Sequence, residues 1–353
     1  LIKFFTLFIA LLLSTLSACS QQAPQRYDSQ FITMGTQAQL SIWADTPSQA
    51  ALISKKIEQQ LNEQSINWYA WSHQPASELR QLNTALKAGQ SFQASEPMAK
   101  LLNISLHMHK SSQGYFDPAL MPMTAAWGFA DNQQPPITEP PSQLSLQQWA
   151  ENRPRLADLD LQNQQVSSSR RDLQLDLGAI AKGYALDLAM QQLHQEGISQ
   201  ASLNLGGQIL IMGNSLPPAV TQINVQDPRS TRFIGSIILH HGESVSTSGD
   251  YWRNNILQGQ FIHHLLDPHT GSPVSHTQAV TVIANSGALA DAASTALMAA
   301  GPEHWTTVAH AMGIQDVLRI DSAGNIQVTA SLHKRIRFTP ETLSRHSIQI
   351  VAL

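Results

Sequence analysis

Apolar positions along the chain repeat with two periods. Ala50, Ile53, Ile57 and Leu61 recur at helical spacing between Pro47 and Gln64, with Ser48 near the cap, which predicts an amphipathic helix. Ser95, Glu96 and Pro97 open a second helix that carries Met98, Leu101, Leu102 and Met108 and ends at Gly114. A short helix is predicted over Leu144 to Ala150, a helix of small residues over Ser286 to Ala300, and another over Pro302 to Gly313. Alternation with period two predicts strands at Phe31 to Trp43, Asp172 to Leu177, Thr221 to Gln226, Phe233 to His240 and Ala279 to Ala284. A final sheet is expected between Ile314 and Val351, and a hairpin over Leu156 to Arg171.

Glycine, proline and small residues punctuate this pattern. Ala201 to Met212 reads as a strand interrupted by Asn204, Gly206 and Gly207, as at a bulge or where a ligand approaches. Tyr115 to Phe129, dense in proline, glycine and aromatics, predicts a loop laid over a surface. The polar stretch Asp131 to Pro141 predicts an exposed excursion. In Glu243 to Arg253, the run STSGDYWR predicts a small-residue turn able to offer backbone donors. Strands and helices mix without strict βαβ alternation, so the expected fold is one α+β domain with mixed or antiparallel sheets and packed helices.

The stretch Asp176 to Asp187, DLGAIAKGYALD, joins a predicted strand to a predicted helix through Gly178. Such a junction presents backbone N–H groups and a helix dipole to an anion, with Lys182 adding positive charge; the alternative is an ordinary turn with a solvated lysine. On the later small-residue helix, Asp291, Ser294 and Thr295 share one face. A carboxylate, hydroxyls and backbone carbonyls form the hard oxygen set that Mg²⁺ prefers, although this spacing also occurs in helices that bind nothing.

Composition narrows the classes. The chain has 353 residues, only 13% charged, with a net charge of -4, so there is no basic excess to bind nucleic acid. Residues 1–18 read as a secretory signal, with Lys3 ahead of an apolar run from Phe4 to Leu13. Leu16-Ser17-Ala18-Cys19 resembles a bacterial lipobox, which implies cleavage before Cys19 and its lipidation. A plain signal peptide or short membrane anchor is the alternative. Cys19 is the only cysteine, so no internal disulfide can form. Residues 19–30 would then be a flexible tether, and 31–353 the folded domain.

Eight motifs occur in succession: MGT, FDPA, WGF, DLGAIAKGYALD, NLGG, STSGDYWR, HHLLDPHTG and DAASTAL. Taken together they resemble the ApbE family of flavin transferases, over about residues 31 to 350. The resemblance implies a T-fold-like domain that uses Mg²⁺ to split the FAD pyrophosphate. FMN would be attached to a threonine of a partner protein, with release of AMP. It also implies site roles. Met34, Trp127, Gly128 and Phe129 would contact FAD; Asp176 and Lys182 would bind its polar groups; His264 and Leu265 would lie beside the diphosphate. The carbonyl of Ala179, with Asp291, Ser294 and Thr295, would hold Mg²⁺, and Asp267 and Gly271 would shape a turn. Membrane redox subunits of the sodium-pumping quinone reductase (Nqr) and Rnf types are the implied acceptors. Anchoring through Cys19 would place the enzyme on the periplasmic face of the bacterial envelope.

Three positions depart from the family's usual pattern. Ala179 stands where a second glycine is common, Gln208 where an acid often follows NxGG, and Trp71-Ser72-His73 matches the family's serine-tyrosine segment poorly. Lys182, His264 and Asp291 are the expected catalytic groups, with His264 as base, transition-state donor or phosphate-orienting group. The same residues equally allow an FAD pyrophosphatase giving FMN and AMP, while Lys182, His264, Asp291 and Thr295 argue against the third reading, a lipid-anchored flavin- or solute-binding protein without turnover.

Overall fold

A computed structural model of the chain describes residues 23–71, 77–130 and 137–353. The expected signal, Cys19, Ser72 and His73 lie outside these residues, as does the start of the excursion after Ala130.

Strands β1 (Gln25–Thr33) and β2 (Thr36–Ala44) pair antiparallel, and Met34 (φ 50°) and Gly35 (φ 71°) form the turn between them. The single opening strand expected at Phe31 to Trp43 is therefore a hairpin with MGT at its tip. Gln25 to Gln30, expected in the tether, belong to β1. Helix α1 (Pro47–Asn67) is capped by Thr46 rather than Ser48, its side chain accepting from Gln49 N–H, and it buries the predicted face. Helix α2 (Glu78–Ala88) follows its cap Ser77, then strand β3 (Phe92–Gln93) and helix α3 (Glu96–Ser111), capped by Ser95 as expected.

The loop expected over Tyr115 to Phe129 is largely helical. The Asp117 side chain accepts from Ala119 N–H and starts a 3₁₀ turn, Pro118–Leu120, that runs into α4 (Met121–Ala126). After α5 (Gln143–Asn152), β4 (Leu159–Gln162) and β5 (Gln165–Ser168) form the expected hairpin. Helix α6 (Ala181–Gln195) leads to β6 (Ala201–Leu205) and β7 (Gln208–Met212), which pair antiparallel. Gly206 and Gly207, both at positive φ, are their two-residue turn rather than a bulge in one strand.

Strands β8 (Gln222–Gln226) and β9 (Phe233–Ile238) lie where expected. The small-residue run is a turn only in its second half: Ser244–Gly249 forms β10, paired on both sides by β7 and β13, and the turn begins at Asp250. A hairpin of β11 (Asn254–Leu257) and β12 (Gln260–His263) comes next, then β13 (Thr277–Ala284). Helix α7 (Gly287–Ala311) breaks at Gly301, where φ is 67°, so the two predicted helices meet at a kink. Strands β14 (Asp316–Asp321), β15 (Ile326–Thr329), β16 (Arg337–Phe338) and β17 (Ile348–Val351) complete the chain.

Nine strands form the main sheet in the order β1-β2-β6-β7-β10-β13-β14-β15-β17, antiparallel except for the parallel pair β15 and β17. Both faces of its middle strands are covered. Leu210, Met212, Val280 and Val282 point into a core shared with α1, α6 and α7. Their neighbours Ile209, Ile211, Ala279 and Ile283 point into a second core beneath the small sheet β16-β9-β8. A third cluster, built on Trp127, Phe129, Trp149, Leu257 and Ile262, caps one end. The α+β expectation is borne out.

A candidate active-site cleft between two helices

Leu173, Leu175 and Leu177 are buried as alternation predicts, yet Asp172 to Leu177 forms no ladder strand. A side chain replaces the neighbouring strand: the Asn83 amide donates to Leu175 O at 2.9 Å and accepts from Leu175 N–H at 2.8 Å. Asp176 N–H donates to Pro118 O at 2.8 Å. The extended segment is thereby clamped to α2 and to the 3₁₀ turn before α4, which fixes the direction in which the chain enters Gly178. The Asp176 carboxylate accepts from Trp71 Nε1–H at 2.8 Å and from Gly178 N–H at 2.9 Å.

Beyond this corner, α6 crosses α7 with backbone against backbone. A β-carbon on Gly183 would overlap the Gly287 carbonyl oxygen, and one on Gly287 would overlap the Gly183 oxygen. Asp187 of α6 satisfies the start of α7, accepting from Gly287 N–H at 2.6 Å, Ala288 N–H at 3.0 Å and Ser286 Oγ–H at 2.8 Å. Burial pushes the Asp187 carboxyl up, against the pull of those three donors. One turn further along α7, Asp291 accepts from Gly183 N–H at 3.0 Å. In a regular helix that N–H would bond to the Ala179 carbonyl four residues back. Among the described residues no backbone N–H bonds the Ala179 carbonyl, and Ala179 lines the cleft.

The cleft encloses about 590 Å³. Its wall includes Met34, Asp176, Ala179, Lys182, His264, Leu265, Asp291 and Thr295, so residues far apart in the sequence converge as expected. Ser294 is fully buried behind the wall and its hydroxyl donates to Asp291 O at 2.9 Å. Ser246 and Ser248 of β10 approach the Ser294 hydroxyl at 3.2 and 2.9 Å, and Ser248 approaches Thr295 Oγ1 at 3.3 Å. Gln208 Nε2 in turn donates to Ser246 Oγ at 3.3 Å. Among the described residues Lys182 has no anionic partner, which leaves its ammonium available to a ligand in the cleft.

His264 stands opposite, immediately after β12. Its Nδ1 lies 3.1 Å from Arg253 O. A carbonyl only accepts, so Nδ1 carries the proton and Nε2 keeps a free lone pair. Burial, and after it the charges of Arg253, His263 and Lys182, hold the imidazole down to about 4, against the carbonyl bond that raises it. At neutral pH it is an uncharged acceptor. Arg253 donates to Phe129 O and lies over the Phe129 ring, 6.0 Å from its centroid.

Trp127, Gly128 and Phe129, expected to contact FAD, do not line the cleft. Trp127 and Phe129 are buried in the third cluster, with Trp127 Nε1–H donating to Gly271 O at 2.7 Å. Phe129 meets His264 edge-on at 6.3 Å between ring centroids, so it supports the histidine from behind. Asp267 accepts from Gly271 N and so shapes the expected turn through its backbone oxygen, at 2.8 Å. Residue pattern alone missed Ser246, Ser248, Tyr251, Trp252 and Arg253 on the wall. For the two serines the alternation with Val245 and Thr247 was the available signal, because a strand of that kind turns every second hydroxyl to one side. The described residues hold no group of three or more His, Cys, Asp or Glu side chains placed to bind a metal ion between them.

In this α+β domain a lysine, carboxylates, hydroxyls and a neutral histidine from distant parts of the chain meet at one cleft, the arrangement of an enzyme. The chain belongs to the ApbE family, whose model matches residues 34–318. A relative from Rhodobacter capsulatus, named FAD:protein FMN transferase, is 38% identical over 272 residues; the match covers 76% of this chain and 50% of that one, so this chain spans about half its length. One from Klebsiella pneumoniae, with the same name, is 30% identical over 80% of this chain and 81% of its own. Among solved structures, the ApbE protein of Thermotoga maritima superposes with a TM-score of 0.79 at 25% identity, covering 89% of this chain and all of that one. The flavinyl transferase ApbE of Pseudomonas stutzeri gives 0.75 at 26% identity, covering 89% and 97%.

Proposed function

We propose that the chain is an Mg²⁺-dependent FAD:protein FMN transferase that attaches FMN to a threonine of a target protein and releases AMP. The observation that carries this reading is the meeting of Lys182, Ala179, Asp291, Thr295 and His264 on one cleft. The relatives named for this activity support it. The donor set suits the metal: one carboxylate, a hydroxyl and a backbone carbonyl released from its helical partner are hard oxygens. Asp291, Thr295 and the Ala179 carbonyl would hold Mg²⁺. When bound, the ion neutralises diphosphate oxygens.

The chain's own groups supply the rest. Lys182 binds the diphosphate by charge, and the protonated Nδ1 on Arg253 O fixes the His264 ring. His264 Nε2 takes the proton from the threonine hydroxyl as its oxygen bonds to the phosphorus on the riboflavin side. The bond from that phosphorus to the bridging oxygen breaks, and AMP leaves with the bridging oxygen. Lipidation at Cys19 and a periplasmic, envelope-anchored location follow from the N-terminal pattern. Membrane redox subunits of the Nqr and Rnf types are the acceptors in this reading.

The test is incubation with FAD, Mg²⁺ and a threonine-bearing acceptor domain, followed by in-gel flavin fluorescence and AMP measurement. A fluorescent acceptor with equimolar AMP is expected. AMP without a labelled acceptor indicates an FAD pyrophosphatase, and neither product indicates a flavin-binding protein; both outcomes overturn the transferase.

A further inference from the structure

We propose that Gln208 is a specificity-determining residue whose Oε1 accepts a hydrogen bond from a ring-borne N–H donor of the bound dinucleotide. This deepens the reading of the cleft as an FAD site and rests on it. Gln208 opens β7 directly after the Gly206-Gly207 turn, lines the cleft and is only 4% exposed. Its Oε1 is buried with no hydrogen-bond partner among the described residues.

The direction of the amide follows from a one-way row of hydroxyls. The Ser294 proton goes to Asp291 O, so Ser294 Oγ can only accept from its serine neighbours. Ser246 therefore donates to Ser294, and its own oxygen must accept from Gln208. With the Ser294 proton on Asp291 O, the opposite amide orientation would set two proton-less oxygens, Ser246 and Ser294, against each other at 3.2 Å. The row thus holds Gln208 Nε2 on Ser246 and turns Oε1 away from it as an acceptor. A buried carbonyl without a donor destabilises the empty protein, and a ligand N–H relieves this only when bound.

FAD carries such a donor at two places, the imide N–H of the isoalloxazine and the exocyclic amine of adenine. Both are edge donors of a flat ring, and Oε1 suits either. A site that pairs its acceptor with such a donor rejects ligands that lack one.

Gln208→Met keeps the volume and removes both amide ends. The expected signature has two parts: roughly tenfold weaker FAD binding by flavin-fluorescence titration, and a melting temperature of the ligand-free protein that is unchanged or higher. A residue with a purely structural role would lower that melting temperature and leave the dissociation constant alone. N3-methyl FAD and an FAD bearing N6-dimethyladenine identify the donor. The analogue that lacks the partner binds wild type and Gln208→Met equally, whereas the other still distinguishes them. Unchanged FAD binding by Gln208→Met, as expected if Oε1 meets only water, overturns the proposal. So does an equal loss for FAD and both analogues. Because binding alone is read, failure of FMN transfer by the wild type leaves this test intact.

Discussion

Gly183 and Asp291 are joined by a single hydrogen bond, the Gly183 N–H donating to Asp291 Oδ2 at 3.0 Å, where α6 and α7 touch backbone to backbone. That bond turns a helix crossing into a site. It takes the N–H that would have satisfied the Ala179 carbonyl, and both Ala179 and Asp291 line the cleft. Gly183→Ala forces a methyl into the Gly287 carbonyl and should destabilise the protein by about 2–3 kcal/mol. Thermal melting checks this, and FAD affinity should fall with it, because the crossing sets the spacing of the cleft.

Asp291→Asn keeps an oxygen to accept from Gly183 but removes the charge. Its melting temperature without metal should stay close to wild type, while the stabilisation by Mg²⁺ and all Mg²⁺-dependent transfer are lost. Lys182→Met should weaken FAD binding about 10–100-fold. Transfer should fall as fully in the first variant as in the second. Assays across a Mg²⁺ series check both, and an Asp291→Asn enzyme that still responds to Mg²⁺ contradicts the assignment.

His264→Asn keeps a donor for Arg253 O and removes the Nε2 lone pair. Transfer should drop by about 10²–10⁴-fold with FAD affinity retained. An imidazole held at about 4 stays a base through pH 5, where an ordinary histidine would already be protonated. The unfolded chain takes up this proton first as pH falls, so stability is lost below the ordinary value of 6.5, fully so below about 4. Melting curves from pH 7 to 4.5 should show a smaller decline for His264→Asn than for wild type.

Trp127→Ala separates packing from ligand contact. Removing a buried tryptophan should cost about 3–5 kcal/mol of stability. Well below the melting temperature, FAD should bind within about twofold of wild type, since Trp127 faces the third cluster and Gly271 O. Loss of FAD binding by a folded variant would restore it to the cleft wall.

Much of this was legible in the sequence, where local signals and tertiary context agree. The cap at Ser95, the β4-β5 hairpin and the helical face shared by Asp291, Ser294 and Thr295 all rest on nearest-neighbour chemistry. Misreadings arose where a distant residue overrode local preference. Asp172 to Leu177 alternates like a strand, but its partner is the side chain of Asn83, 92 residues from Leu175, so no ladder forms. The aromatic and proline-rich Tyr115 to Phe129 becomes helical because Asp117 caps it and Trp127 and Phe129 find a buried cluster. Serines of β10 favour turns by composition, and pairing with β7 and β13 outweighs that preference in favour of the alternating strand.

The β11-β12 hairpin leaves the cleft at Arg253 and returns at His264, and the bond between His264 Nδ1 and Arg253 O closes the loop at its base. Its far end, Gln258 and Gly259, both at positive φ, lies just past Leu257, which packs into the third cluster. Extra residues inserted there would lengthen an arm whose root is already tied. The tip is therefore the natural place to graft a tag or reporter without disturbing the imidazole.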